Sequence, residues 1–581
     1  MYLALLTLPL STFCCLSLFG RFLGARGCIL LSVLSALLST LISLIIFYEV
    51  AICGSPCQIY YSIYFNSGLF DANWGFLFDT LKAVISVIIT LISNLVVIYS
   101  CSYMIVDNHF IRFISYLKCF TVAMLVLVTA DNYIQLFVGW EAVGLSSFLL
   151  ISYWFTRLQA SKAAIQAMLL NRVGDIGLAL GIIGLFFCYN TTNYQALFSI
   201  NDLEDNTVSL NSFFGISLLD WACIGLFIGA MGKSGQVGLH AWLPNAMNAP
   251  TPVSALLHAA TMVTAGVFLL ARSSPLFEYA PNAAATVTII GAITTIFAGT
   301  IGLVQNDLKS IIAYSTCSQL GYMITICGLS NYNVGIFHLF NHAFIKASLF
   351  LTAGVVIHGL ANQQDIRKFG GLQQVLVFSY TALLIGTLAL VGTPYLSGFY
   401  SKDVILELAY ARYSLSGNFS YLLTTFSVFT TSYYSFRLLF MCFNTVTTNL
   451  HKQSARLVHD ADWMMAIVLM GLALGSIYVG WLVKPMFIGI GTDFWNNSLV
   501  IKPSNSMLFE AEFLPQSIKW LPLVNTTMGG LLAYALTTLF VKQSYGYTIR
   551  YFRQVYMFFN QRWFFDKLLN EFIAYPSYKL G

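Results

Sequence analysis

Apolar runs of roughly 17–25 residues, each long enough to cross a bilayer as a helix, recur along the whole chain. They fall at 2–19, 29–51, 76–99, 113–130, 134–153, 173–187, 218–239, 252–271, 283–304, 311–329, 334–357, 372–408, 421–443, 464–483 and 521–541. Counting the long 372–408 run as one broken helix gives about fifteen spans. A segment in lipid must satisfy its own backbone, so the chain reads as an all-α polytopic membrane protein. Composition agrees. Of 581 residues, 58% are hydrophobic and only 9% charged, with a mean hydropathy of +0.76. A soluble protein carries about a quarter charged residues and needs them to cover its surface. Aromatics make up 15% of the chain, in keeping with interfacial belts. The net charge of +5 is no nucleic-acid signature, because the basic residues sit in short loops and a tail.

Loop charges orient the spans. With one crossing per run, one side receives Arg21, Arg26, Arg112, Lys118, Arg157, Lys162, Arg172, Lys309, Arg367, Lys368, Lys452, Arg456 and a tail holding Arg550, Arg553, Arg562 and Lys567. The other side receives Asp71, Asp131, Asp202, Glu204, Asp205 and Glu278, with few basic residues. By the positive-inside rule the first side is cytoplasm or matrix, the N-terminus lies outside and the tail inside. The twelve cysteines are scattered without a C-x-x-C pair, and most read as small packing residues. A disulfide between Cys53 and Cys57 is not expected. The N-terminus has neither a basic signal-peptide start nor the Arg- and Ser-rich pattern of a transit peptide.

An ionisable residue inside a membrane helix is costly and marks function. His338, His342 and Lys346 are four apart, so they stack on one face of the 334–357 run. They suggest a hydrated proton relay rather than a metal site, because no carboxylate or cysteine joins them on that helix. Lys233 lies in Gly232-Lys-Ser-Gly235, ahead of His240 and Pro244, where glycines and proline interrupt a helix. Lys402 repeats this arrangement after Gly392, Pro394 and Gly398. Two interrupted segments, each with a lysine and five spans apart, point to an internally duplicated transporter. Asp403 is placed to hold Lys402 charged or to relay its proton outward. Glu141 sits mid-span as a desolvated carboxyl. His258 shares a polar helix face with Ser254 and Thr261. Arg172 and Asp175, three apart, form an orienting pair or a proton-entry element. Gly177, Gly181 and Gly184 make a stripe for close helix packing. With no Walker or dinucleotide motif, the driving energy must come from an ion gradient or an attached partner.

The stretches Gly139-Trp-Glu-Ala-Val-Gly-Leu-Ser-Ser-Phe148, Asn171-Arg-Val-Gly-Asp175, Gly238-Leu-His-Ala-Trp-Leu-Pro244, Ala249-Pro-Thr-Pro-Val-Ser-Ala-Leu-Leu-His258, Ala313-Tyr-Ser-Thr-Cys-Ser-Gln-Leu-Gly-Tyr322 and Gly398-Phe-Tyr-Ser-Lys-Asp403 resemble the chain 5 family of NADH:ubiquinone oxidoreductases, the distal antiporter-like subunits of respiratory complex I. The likeness covers almost the whole chain and is nearest the mitochondrial form. It implies two inverted five-helix repeats, each with a broken helix. The expected division is N-terminal helices over 1–110, a first repeat over 111–271, a second over 272–443, C-terminal helices over 444–541 and a basic tail over 542–581. It implies a proton-translocating role in the inner mitochondrial membrane, with the N-terminus toward the intermembrane space and the tail in the matrix. Glu141 and Lys233 would be a coupled pair of the first half channel, His258 and Lys346 the central axis, Lys402 the outer half channel, and Arg172 and Asp175 polar groups near proton entry. NADH, FMN, iron–sulfur clusters and ubiquinone would belong to other subunits, leaving no cofactor or metal in this chain.

Three departures qualify the resemblance. Asn245 and Asn248 stand where acidic residues are usual, and Ser310 replaces a basic neighbour of Lys309. The family's long lateral helix and last anchor are not legible after 541, so a separate polypeptide is the expected supplier. The expected partners are membrane-arm subunits, above all the neighbouring antiporter-like chain, and membrane lipids. The rival reading is a free-standing cation/proton antiporter of the related multisubunit type.

Overall fold

The first expected pair of spans forms a helical hairpin in the computed structural model, which describes residues 1–68, 70–203, 212–213, 216–445, 458–539 and 553–580. Helix α1 (Ala4–Phe47) is interrupted at Gly24, whose φ of 64° and ψ of 179° are not helical. The Cys28 thiol lies 3.7 Å from the Gly20 carbonyl. Residues eight apart in a straight helix are separated by about 12 Å, so the chain turns back there. Arg21 and Arg26 flank this turn. Glu204, Asp205, Lys452, Arg456 and Arg550, counted in the loop-charge pattern, lie outside the described residues.

The all-α expectation has two local exceptions, the smaller a two-residue pairing of Ser212–Phe213 with Ile216–Ser217. Strands β1 (Cys57–Ser67) and β2 (Phe70–Phe78) form an antiparallel hairpin that precedes the membrane. Its aromatic, period-two residues resemble a span in hydropathy, which moved the expected start of the next helix too early. Helix α2 (Thr80–Tyr103) begins only after Asp79, whose carboxylate caps it by accepting from the Lys82 amide at 3.0 Å.

The remaining main helices are α3 (Phe110–Thr129), α4 (Tyr133–Ile151), α5 (Leu158–Tyr189), α6 (Leu218–Ser234), α7 (Thr251–Ala259), α8 (Ala265–Arg272), α9 (Pro281–Gly302), α10 (Leu308–Gly328), α11 (Tyr332–Gly359), α12 (Val377–Val391), α13 (Ser397–Ala411), α14 (Leu415–Leu439), α15 (Trp463–Ile488) and α16 (Gln516–Tyr534). Among the described residues, nine candidate spans are long and apolar enough to cross a membrane, the first of them covering the whole α1 hairpin. Several other expected spans are shorter or more polar because they are interrupted or carry the interior hydroxyl and amide groups.

The glycine stripe does what its spacing implies. A Cβ built on Gly181 would lie 2.6 Å from the Leu226 amide nitrogen, and one on Gly174 would lie 3.1 Å from the Gly232 Cα. Helices α5 and α6 therefore touch backbone to backbone. Helix α5 also presents an exposed apolar stripe at Ile165, Leu169, Ile176, Leu180, Ile183 and Phe187.

Candidate functional site

Both expected helix breaks are present. Helix α6 ends at Ser234, and Gly235 takes the left-handed conformation at φ 58° with its amide returned to the Met231 carbonyl. The Trp242 indole donates to the Gly232 carbonyl at 2.9 Å, occupying an acceptor freed by the break. Helix α12 ends at Val391, with Gly392 at φ 90° and Tyr395 at φ 69° before α13 starts. A third break was not foreseen. The 252–271 run splits at residues 260–264, directly after His258. Thr261 donates to the Leu256 carbonyl at 2.6 Å and Thr264 to the Ala260 carbonyl at 2.9 Å. Of the hydroxyls read as sharing a face with His258, Thr261 thus bonds backbone at the break, while Ser254 bonds the Thr251 carbonyl within its own helix.

Around the first break, Lys233 is 1% exposed and its Nζ has no hydrogen-bond partner. It sits 5.6 Å from the centre of the Trp140 ring and against Gly144 of α4. The expected direct pairing with Glu141 is not the arrangement found. Glu141 bonds Arg172 instead, at 2.6 Å. Asp175 accepts from the Trp140 indole at 2.7 Å. The carboxylates of Asp175 and Glu141 are nevertheless the anionic charges that act on Lys233, Asp175 the more strongly. The Arg172 and Glu141 side chains are 51% and 28% exposed within the apolar face of α5 and α4. An ion pair so placed lies open to whatever packs on that face.

Between the breaks, His258 is fully buried and both ring nitrogens lack partners. Its ring is near-parallel to Trp242 at 6.1 Å and meets Phe350 at 5.9 Å. His342 reaches from α11 to the Ala259 carbonyl at 3.3 Å, joining the second half of the chain to the unforeseen break. Lys346 bonds the Ser315 hydroxyl at 2.5 Å. His338 bonds Ser401 at 2.9 Å and Gln319 at 3.0 Å, and its ring lies 6.5 Å from that of His342.

At the last break Lys402 donates to Thr431 Oγ1 at 2.9 Å and to the freed Val391 carbonyl at 3.3 Å. The Tyr322 ring faces it at 5.7 Å. A small cavity of about 10 Å³, lined by Gln319, His338, His342 and Lys402 among others, has room for about one water. Asp403 forms no ion pair with Lys402, since adjacent helix residues point in different directions. Glu407, four residues on, shares its side of α13. All twelve cysteines are free, Cys53 and Cys57 included. Among the described residues, no group of three His, Cys, Asp or Glu side chains is placed to hold a metal.

Four interior residues escaped the sequence reading. Lys82 is fully buried in α2 and donates to the Ala130 carbonyl at 2.7 Å, near an Arg272–Asp79 ion pair. The rule that singled out Lys346 applies equally to Lys82, which lay within the 76–99 run. Lys118 and Lys309, taken as loop charges, are each 3% exposed inside α3 and α10. Lys309 bonds the Ala249 carbonyl at 3.2 Å, beside the first break. His240 is packed between the rings of Phe297 and Phe565, each 4.6 Å away, so the tail covers the turn that follows Lys233.

Comparison with known proteins adds three domain matches. Residues 64–114 match the family described as NADH-Ubiquinone oxidoreductase (complex I), chain 5 N-terminus. Residues 130–431 match NADH:quinone oxidoreductase/Mrp antiporter, TM, and residues 434–581 match NADH dehydrogenase subunit 5 C-terminus. NADH-ubiquinone oxidoreductase chain 5 of Marchantia polymorpha is 54% identical over 587 residues, covering 100% of this chain and 87% of that protein. The chains of the same name from Arabidopsis thaliana and Phytophthora infestans are 52% and 50% identical, each covering 100% of this chain and 87% of theirs. A solved chain of the Mrp complex from Dietzia sp. DQ12-45-1b superposes with a TM-score of 0.77 at 22% identity. That match covers 96% of this chain and 59% of the other, and speaks to the fold.

Proposed function

Because the chain belongs to the chain 5 family of NADH-ubiquinone oxidoreductases, we propose that it is a proton-translocating membrane-arm subunit of respiratory complex I in the inner mitochondrial membrane. Electron transfer from NADH to ubiquinone takes place elsewhere in the complex, and this chain converts its energy into proton movement. The observation that carries the reading is the burial of Lys233, His258, His342, Lys346, His338 and Lys402, on helices at or between the two expected breaks. Side chains that both take and release a proton are what a proton path requires.

Coupling starts at the exposed face of α4 and α5. A neighbouring antiporter-like subunit packed there brings its charges to the Glu141–Arg172 pair. In the arrangement found, Glu141 is held by Arg172 and Lys233 has no hydrogen-bonded partner, which favours loss of the lysine's proton. Movement of Glu141 from Arg172 toward Lys233 favours its capture. A unit charge pair at about 4 Å and an effective dielectric near 20 is worth roughly 4 kcal/mol. That difference suffices to drive a proton toward His258 and on to Lys346. Lys402 passes it outward, and the Asp403–Glu407 face of α13 provides the exit. The first repeat, 111–271, and the second, 272–443, thereby divide uptake and release between them.

The test is proton pumping by the intact complex in sealed vesicles, with Lys233→Ala and Lys402→Ala measured separately. Each is expected to lower the ratio of protons moved to NADH oxidised. A ratio equal to wild type in both would overturn the proposal.

A further inference from the structure

A second cavity lies away from the lysines at the breaks. It measures about 490 Å³ and is lined by Glu278, Tyr279, Arg412, Ser414, Lys502 and Asn505 among others. These residues come from the links after α8, α13 and α15, on one face of the molecule. The volume lies in the range of small-molecule sites.

Its charged groups are built in but incompletely satisfied. Glu278 is 7% exposed, and its Oε2 accepts from the Lys502 amide at 3.2 Å and from Asn505 Nδ2 at 2.6 Å. Its Oε1 is buried beside the Tyr332 hydroxyl, a neutral donor, and no cation among the described residues pairs with the carboxylate. Arg412 spends Nη2 on Asn505 Oδ1 at 2.9 Å, while its Nη1 is buried and unpartnered. One asparagine amide thus stands between a guanidinium with a free donor and a carboxylate with no cationic partner. Lys502 extends over the Tyr279 ring, 3.3 Å from its centre. Leaving such groups unmade in a buried site is costly.

An anion alone would satisfy Arg412 and crowd Glu278. A cation alone would do the reverse. We propose that the cavity binds a phosphate ester carrying a primary amine, with the phosphate on Arg412 and Lys502 and the ammonium donating to Glu278 Oε1. At a membrane face the source of this chemistry is the head group of phosphatidylethanolamine. A choline head group has no N–H to give, and a serine head group would bring a second carboxylate against Glu278. Tyr413 and Leu415, 77% and 92% exposed beside Arg412, offer an aromatic and an aliphatic surface to the acyl chains.

The test uses the intact complex, stripped of loosely held lipid and then exposed to vesicles of phosphatidylethanolamine, phosphatidylcholine or phosphatidylglycerol, with retained lipid quantified by mass spectrometry. Wild type is expected to retain phosphatidylethanolamine over the other two by about tenfold, the scale of one charge-assisted hydrogen bond. Glu278→Gln is expected to erase that preference. Arg412→Lys, which keeps the charge but has one amine for two acceptors, is expected to weaken retention without loss of assembly or of electron transfer. Water-soluble glycerophosphoethanolamine should displace the lipid where inorganic phosphate does not, showing that the amine is read. Equal retention of all three lipids, unchanged retention in both variants, or displacement by phosphate alone would overturn the assignment. So would an experimental density map with a neighbouring subunit's side chain in the cavity.

Discussion

Lys233 and Lys402 stand at corresponding breaks in the two halves, yet their surroundings differ in kind. Lys233 has no hydrogen-bonded oxygen and lies in the field of Asp175 and Glu141. Lys402 is hydrogen-bonded to a hydroxyl and a freed carbonyl and faces an aromatic ring, while the adjacent Asp403 carboxylate acts on it without pairing. The first site responds to charges that move, because its stabilisation is long-ranged. The second depends on geometry as well, because hydrogen bonds act over a fraction of an ångström. This is the division expected of a chain that receives an electrostatic signal on one side and hands on a proton at the other.

Glu141→Gln is the strongest way to break this contrast. It removes a mobile charge and leaves Arg172 unpaired on an apolar face, so vesicle pumping should fall by about tenfold or more. Gly181→Ala comes next. Its Cβ would meet the Leu226 backbone, forcing α5 away from α6 and Asp175 away from Lys233. A destabilisation of about 1–3 kcal/mol is expected, read as a lowered midpoint of thermal unfolding. Thr431→Val should be milder, roughly two- to fivefold in pumping, because the Val391 carbonyl and Tyr322 still serve Lys402. A Thr431→Val loss equal to that of Glu141→Gln would show that both lysines depend on the same kind of contact.

The smallest effect concerns the link between α11 and α12, which neither lysine touches. Hydrogen bonds from Arg367 hold the Asp365 carboxyl below its usual range, against the opposing effect of burial. A carboxyl depressed in the folded state adds stability that is complete above its unfolded value, near pH 4, and is lost as pH falls through the folded value. Amide-exchange protection over residues 364–368 should therefore be flat from neutral pH to about pH 4 and decline below. A decline already at pH 6 would tie this link to another titrating group.

Much of the site was legible because a membrane makes polar residues conspicuous. Lys233, Lys346, Lys402, His258 and Glu141 stand out in apolar runs, and Gly235, Gly392 and Pro394 mark two of the breaks. The third break carries no glycine or proline at residues 260–264, and Thr261, whose hydroxyl supports it, looked like part of a helix face. Strands β1 and β2 were hidden because a half-buried aromatic hairpin and the start of a span have similar hydropathy. Lys118 and Lys309 were misplaced because a charge near the end of a run reads as a loop residue, whereas both are enclosed by neighbouring helices.

Residue order alone determined the solvent this chain folds in, its helical class, the family to which it belongs and the residues too costly to be there without purpose. The family follows from resemblance of its sequence stretches, and the other conclusions follow from transfer energies and spacing, which are local. The tertiary structure decided which charge meets which. It placed Glu141 on Arg172, left Lys233 without a hydrogen bond and gave Lys402 to neutral oxygens. Contacts between residues 31 positions apart, as for Glu141 and Arg172, depend on how helices pack. No local pattern encodes that choice, because two cations, Arg172 and Lys233, act on the Glu141 carboxylate.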